Sequence, residues 1–344
     1  MKQFNGYQNG INLGGWLSQC VARTKEHFDT FITEDDIKYI KSLGFDHLRL
    51  PVDYDILEEE DGTIKEDGYN HVRDTISWCR KYGLKLVLDL HKTYGFMFDT
   101  KEVADPDKFF TDEKLQQRFY EIWERLIKAF GKDKDILAFE LLNEVVNPDF
   151  ADKWNEISAK AIDVIRTYEK DAYILVGGVR HNNVNSVPLL PKPADEYIIY
   201  NFHCYEPLCF THQHAHWVDN IDYDLPYPAP VEIYKEKSLL LNQAHAGAIF
   251  DSENMIVGPQ FFDKLFENAL KYAEEMNVPL YCGEYGVIDK APCADSLRWL
   301  SDITEVFNKY HIGRALWNYK QKDFGITELY PKDKIPELTK ALNL

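Results

Sequence analysis

The 344-residue sequence predicts an α/β protein, a (β/α)8 TIM barrel with a subdomain inserted after the sixth strand. Three observations predict it. Short apolar runs alternate with amphipathic helical stretches, there are eight such runs, and one long irregular stretch follows the sixth. A barrel of this kind routinely exceeds the usual domain length, so residues 1–344 are read as one domain.

The candidate strands are Ile11–Gly14, His47–Leu50, Lys85–Leu90, Leu137–Leu142, Tyr173–Val176, Tyr197–Phe202, Pro279–Cys282 and Arg314–Trp317. Between the first two lies TEDDIKYIKSLG, with Thr33 as N-cap, Asp36 at the capping-box position and Gly44 as the stop. Asp67–Gly83, Thr111–Gly131, Ala151–Lys170, Pro259–Met276 and Ala294–Tyr310 repeat apolar residues near the helical period. From about 206 to 258 no strand is clear, and Pro, Tyr, His and Trp are frequent; this is the expected inserted subdomain.

Bulk composition limits the function. Hydrophobic residues make up 45% and aromatic residues 14%, enough for a large core. The net charge, 39 − 57 = −18, repels phosphate backbones and anionic lipid, so neither nucleic acid nor membrane is an expected partner. A neutral substrate is compatible with it. Six scattered cysteines without a CxxC pair predict free thiols. The opening MKQFNGYQNG has no apolar signal core, which predicts a cytoplasmic place, or a secreted one if a leader has been removed. A monomer without cofactor or metal is expected.

In a parallel barrel the reacting groups sit at the C-terminal ends of the strands. Arg49 lies in LRLP, His91 closes LVLDLH, Asn143 and Glu144 close LAFELLNE, His203 and Tyr205 follow YIIYNF, Glu284 follows PLYCG, and Trp317 lies in RALWNY. Glu144 and Glu284 are 140 residues apart, yet the barrel places both strand ends on one cleft. Two facing carboxylates suit glycoside hydrolysis, where one protonates the leaving oxygen and the other meets an oxocarbenium-like centre. Each glutamate alone could be a rim salt bridge. Glu140 is expected in a barrel-core ion pair.

The motifs LRLP, LDLH, ELLNE, NFHCYEP, YCGEYG and ALWNY, in this order over nearly the whole chain, resemble glycoside hydrolase family 5. INLGGWLSQ, KEHFDTFITEDDI and FTHQHAHW are closer still to clostridial-type endoglucanases. The resemblance implies Glu144 as acid/base and Glu284 as nucleophile, with Arg49 and Tyr205 keeping Glu284 charged. It also implies that Asn143 binds the sugar 2-OH, that His91 and His203 orient substrate and carboxylates, and that Trp317 floors the cleavage subsite. The implied activity is retaining hydrolysis of β-1,4- or mixed-linkage β-1,3-1,4-glucan. Mannan, xylan or short gluco-oligosaccharides are alternative substrates, and an inactive sugar-binding barrel or a metal-dependent hydrolase are rival classes.

Several features keep two readings. Trp217, beside His212, His214 and His216, is expected to touch sugar, while the three histidines at alternating positions could line one strand face as a metal site. Trp16 is a packing residue or a subsite. GGVRHNNVN, residues 177–185, is read as the loop after the fifth strand, lining the cleft, and EEEDG, residues 58–62, as a solvated loop. Lys92 stands where many family members carry a second histidine; it either tunes the outer subsites or is solvated.

Overall fold

The computed structural model describes residues 1–99, 105–241, 248–252 and 256–344. Eight parallel strands close into a barrel: β1 Asn9–Asn12, β2 His47–Asp53, β3 Lys85–Lys92, β4 Leu137–Glu140, β5 Ile174–Gly177, β6 Ile198–Cys204, β7 Leu280–Tyr285 and β8 Gly313–Leu316. Each pairs with the next in sequence, and β8 returns to β1. All eight expected strands are present. β2, β3 and β7 run further toward their C-terminal ends than the apolar runs suggested, whereas β4 stops at Glu140 rather than Leu142.

The long helices around the barrel are α1 Glu34–Ser42, α2 Glu66–Tyr82, α3 Glu113–Phe130, α4 Ala151–Tyr168, α5 Pro259–Met276, α6 Cys293–Tyr310 and α7 Ile335–Leu342. At the start of α1 the Thr33 amide and hydroxyl both donate to Asp36 Oδ2 at 2.8 Å, and Gly44 ends it at φ +107°. α3 buries Phe119, Ile122, Trp123, Leu126, Ile127 and Phe130, the helical stripe that faces the strands. β5 is followed by no long helix; the chain turns through Val179–Asn182 and the 3-10 segment Val184–Leu189. Between β6 and α5, the described residues hold the short helices Leu208–Thr211 and Val231–Ser238, and the bridge Pro230–Ile256. Among the described residues no helix is long and apolar enough to cross a membrane. All six cysteines are unpaired.

The barrel interior is layered. Phe4, Tyr7, Val87, Ala138, Leu175, Ile199, Tyr281 and Ala315 form an apolar plug at the N-terminal end. Because strand side chains alternate, the residue two positions on points inward again, and the next layer is polar. Val87 leads to Asp89 and then His91; Ile199 leads to Asn201 and then His203; Ala138 leads to Glu140. All five of these polar residues are buried. Apolar base, ionic middle and reactive rim thus come from the same strands.

The loop 58–62 is not wholly solvated. Glu58 is buried and pairs with both Arg118 and Arg125 of α3, so its first carboxylate clips the loop to that helix.

Candidate active site

Arg49 is the hub of the ionic layer, with no solvent exposure. Its Nε and Nη2 clasp Glu140 at 2.7 and 2.8 Å, and Nη2 also lies 3.0 Å from Asp89 Oδ2 and from Asn143 Oδ1. Nη1 donates to Asn12 Oδ1 at 2.9 Å and to Glu284 Oε1 at 2.7 Å. The expected core pair of Glu140 is therefore a cluster of three carboxylates around one guanidinium, whose planar fork can satisfy several acceptors at once. Burial pushes Asp89 up to about 6 against the pull of Arg49, and raises Glu140 likewise.

Glu284 reaches the cleft through an irregularity. Tyr281 and Gly283 point into the barrel, so strict alternation would turn residue 284 outward. The register slips between β6 and β7 and again between β7 and β8, pairing His203 with Glu284 and bringing the carboxylate inward. Gly283 permits this approach: a Cβ there would stand 2.8 Å from Asn201 Oδ1 and 3.0 Å from His203 Nε2. The Tyr205 hydroxyl donates to Glu284 Oε2 at 2.9 Å. Burial and then the Glu284 charge hold that phenol well above its ordinary range, so it remains a donor.

Glu144 is held differently. β4 has ended four residues before it, and Glu144 itself adopts φ +43°. That departure from the strand lets Asn143 and Glu144, adjacent in sequence, both face the cleft. His203 Nδ1 lies 2.7 Å from Glu144 Oε1 and 3.8 Å from Glu284 Oε2, so its ring stands between the two acids. His181 Nδ1 lies 3.3 Å from Glu144 Oε2. Burial favours the neutral acid, but hydrogen bonds from His181 and His203 outweigh it and hold Glu144 below the usual carboxylate range. For His203 the opposite balance holds: burial disfavours the cation, while Glu284 and Glu144 draw its value upward. Both directions favour the charged forms, carboxylate on Glu144 and imidazolium on His203.

His91 is fully buried, and burial lowers it to about 4, leaving a neutral ring. Its Nδ1 faces Asp89 Oδ2 at 2.5 Å, which makes Nε2 the acceptor for Asn143 Nδ2 at 3.3 Å and Gln19 Nε2 at 3.4 Å. Asn143 is thus fixed in orientation, its oxygen on Arg49 and its amide nitrogen toward His91. Trp317 lies nearly parallel to His91, 7° between planes and 6.0 Å between centroids, with 5% of its surface open. Gly14 makes room for this indole: a Cβ would meet Trp317 at 2.5 Å.

Trp217 is half-buried against His212 and Phe324, and both of these rings pack on Tyr205. The three loop histidines do not share a strand face. His212 packs on Tyr205, His214 pairs with Asp222 and Asp224, and His216 meets the Trp217 edge, because the segment is a helix end followed by turns. Trp16 leaves the substrate-binding set: it is fully buried against Trp78 and His71, and its indole N–H is spent on the Phe28 carbonyl at 2.8 Å. Lys92 is not solvated; its side chain is 14% exposed, 3.7 Å from Asp53 and over the Phe98 ring.

His181 was not singled out by sequence reasoning, although its loop was. The available signal was a polar run, Arg180-His181-Asn182-Asn183, directly after a strand end and two glycines. Arg49, His91, Asn143, His203, Tyr205 and Trp317 lie around Glu144 and Glu284. Among the described residues, Glu144, His203 and Glu284 are the grouped metal-capable donors, one atom of each lying within 4.8 Å of the others. An oxygen of Glu144 and an oxygen of Glu284 are thus within that distance.

A family model described as cellulase (glycosyl hydrolase family 5) matches residues 6–323. Cellodextrinase A of Ruminococcus flavefaciens is 45% identical over 315 residues, covering 91% of this chain and 86% of the relative. Endoglucanase C of Acetivibrio thermocellus is 38% identical over 343 residues, 98% of this chain and 97% of the relative. Thermotoga maritima Cel5A, solved with mannotriose, aligns at TM-score 0.74 with 23% identity over 98% of this chain and 97% of that one. The CcsZ subunit of Clostridioides difficile aligns at TM-score 0.76 with 23% identity, over 98% and 99%. These two structural likenesses speak for the fold alone. With a family match running from ahead of β1 to beyond β8, the chain is a glycoside hydrolase and belongs to the cellulase family, glycosyl hydrolase family 5.

Proposed function

We propose that the chain is a retaining hydrolase of β-1,4-glucan or mixed-linkage β-1,3-1,4-glucan and their oligosaccharides, using Glu284 as nucleophile and Glu144 as acid/base. The observation that carries this is the approach of an oxygen of Glu144 to within 4.8 Å of an oxygen of Glu284, with His203 between them. Retaining enzymes hold the pair about 5–5.5 Å apart, whereas inverting enzymes need about 6.5–9.5 Å to admit water between them. The two relatives support the substrate class, one being named for cellodextrins and the other for glucans.

In the first step a Glu284 oxygen bonds to the anomeric carbon as the glycosidic bond breaks. The leaving oxygen takes its proton from Glu144, which draws it from His203 along their 2.7 Å contact. Once Glu284 is esterified its negative charge is gone. Glu144 then removes a proton from water, the water oxygen bonds to the anomeric carbon, and Glu284 departs as a carboxylate. Asn143 has one amide hydrogen directed at His91 and a second left for the sugar 2-OH. Trp317 offers an apolar face to the ring at the cleavage point, and Trp217 lies on the Tyr205 side.

The test is turnover of an aryl β-cellobioside beside barley β-glucan, carboxymethylcellulose, mannan and xylan. The glucans are expected to be the better polymers, and Glu284→Ala is expected to lose about 10⁴-fold or more in kcat. Faster turnover of mannan or xylan contradicts the substrate reading. Activity surviving in Glu284→Ala contradicts the site.

A further inference from the structure

Both oxygens of Glu144 face an imidazole, and the two imidazoles differ in kind. His203 is a strand residue, buried between the two carboxylates. His181 follows β5, approaches the other oxygen, Oε2, and has a third of its side chain exposed, 34%. The backbone that delivers it is unusual. Arg180, His181 and Asn182 are consecutive non-glycine residues at φ 57°, 58° and 54°, where Cβ crowds the following carbonyl oxygen. Left-handed runs of this kind persist only when their surroundings hold them, and they gather at functional sites.

What holds this one is the loop that carries Glu144. The Arg180 amide donates to Val146 O at 3.1 Å, and the His181 amide donates to Val145 O at 3.0 Å, the two residues directly after Glu144. Asn182 is buried beneath the turn. The strained turn and the strained acid are therefore one hydrogen-bonded unit, and its one partly open ring lies on Glu144. β5 adjoins β4 in the barrel, whereas Glu284 and Trp317 come from β7 and from the end of β8. His181 thus reaches Glu144 from the end of the neighbouring strand.

We propose that His181 is a positioning residue for proton delivery: its hydrogen bond to Oε2 fixes the plane of the Glu144 carboxyl so that the proton points at the leaving oxygen. This rests on the reading of Glu144 as acid/base. The contact is long at 3.3 Å, as such contacts often are before substrate arrives.

The test uses two substrates and three variants of the full chain. 2,4-Dinitrophenyl β-cellobioside expels its aglycone without protonation; phenyl β-cellobioside needs the proton. His181→Gly relieves the positive φ and removes the donor. His181→Asn tolerates the same backbone and places Nδ2 where the imidazole Nδ1 stood. His181→Gly is expected to lower kcat/KM about tenfold on the phenyl substrate and to stay within about twofold on the dinitrophenyl one, with His181→Asn recovering most of the loss. Equal losses on both substrates, or no loss on either, overturn the proposal, since a turn that only supports the fold would not discriminate between leaving groups. Glu144→Ala is the reference, expected to show the same split at about 10²–10⁴-fold. If Glu144→Ala shows no split, the acid/base assignment itself falls; a split there with none in His181→Gly removes only the role of His181.

Discussion

The two halves of the catalytic centre are built on different principles. Glu284 rests on a strand-borne ionic layer in which Arg49, Glu140, Asp89, Asn12 and Asn201 are fully buried and joined by contacts of 2.7–3.0 Å. Glu144 sits past the end of its strand, at a positive φ, against a second left-handed turn and a partly open histidine. A nucleophile, the role proposed for Glu284, has to be held still, and the saturated Arg49 guanidinium in a closed layer does so. An acid/base, the role proposed for Glu144, has to give up and regain a proton, and it is held by two imidazoles, His203 and His181, rather than by a fixed cation. Rigidity and protonic flexibility are divided between β7 and the β4–β5 loops.

Breaking the ionic layer is the strongest way to expose this contrast. Arg49→Met leaves Glu140 and Asp89 buried without their cation and is expected to lower folding stability by about 3–5 kcal/mol, read from the denaturant midpoint. His181→Gly, on the other half, is expected to change the midpoint little. Similar losses in both would erase the distinction between a structural and a protonic side.

A gentler probe is pH. The His203 value is raised above 6.5, so its proton is present below that pH and is lost only as pH rises through the higher folded-state value. The basic limb of kcat/KM is accordingly expected above pH 6.5. A limb clearly below it would mean that the proton used in the first step is not held by this pair.

The same division explains what could be read from the sequence. The strand-borne side was legible because strands advertise themselves: an apolar run with inward alternation carries Arg49 and His91 to predictable places. Even there the inward position of Glu284 depends on two register slips that no apolar pattern reveals. The loop-borne side was legible only up to Glu144. His181 lies in a loop whose conformation is set by tertiary hydrogen bonds to Val145 and Val146 rather than by its own composition. Trp16 kept two readings for a related reason. A tryptophan just past a strand end suits a sugar platform and a packed core equally, and only the arrangement of Phe28, His71 and Trp78 around it decides. Glu58 looked like part of an acidic surface run until two arginines from α3, far along the chain, were seen to bury it.

The measurement that bears most directly on the account is the anomeric configuration of freshly released sugar, followed by proton NMR during hydrolysis of a β-cellobioside before mutarotation. An oxygen of Glu144 lies within 4.8 Å of an oxygen of Glu284, closer to the spacing of retaining pairs than of inverting ones, and the β-anomer is expected first and the α-anomer only later. Initial release of the α-anomer would contradict it.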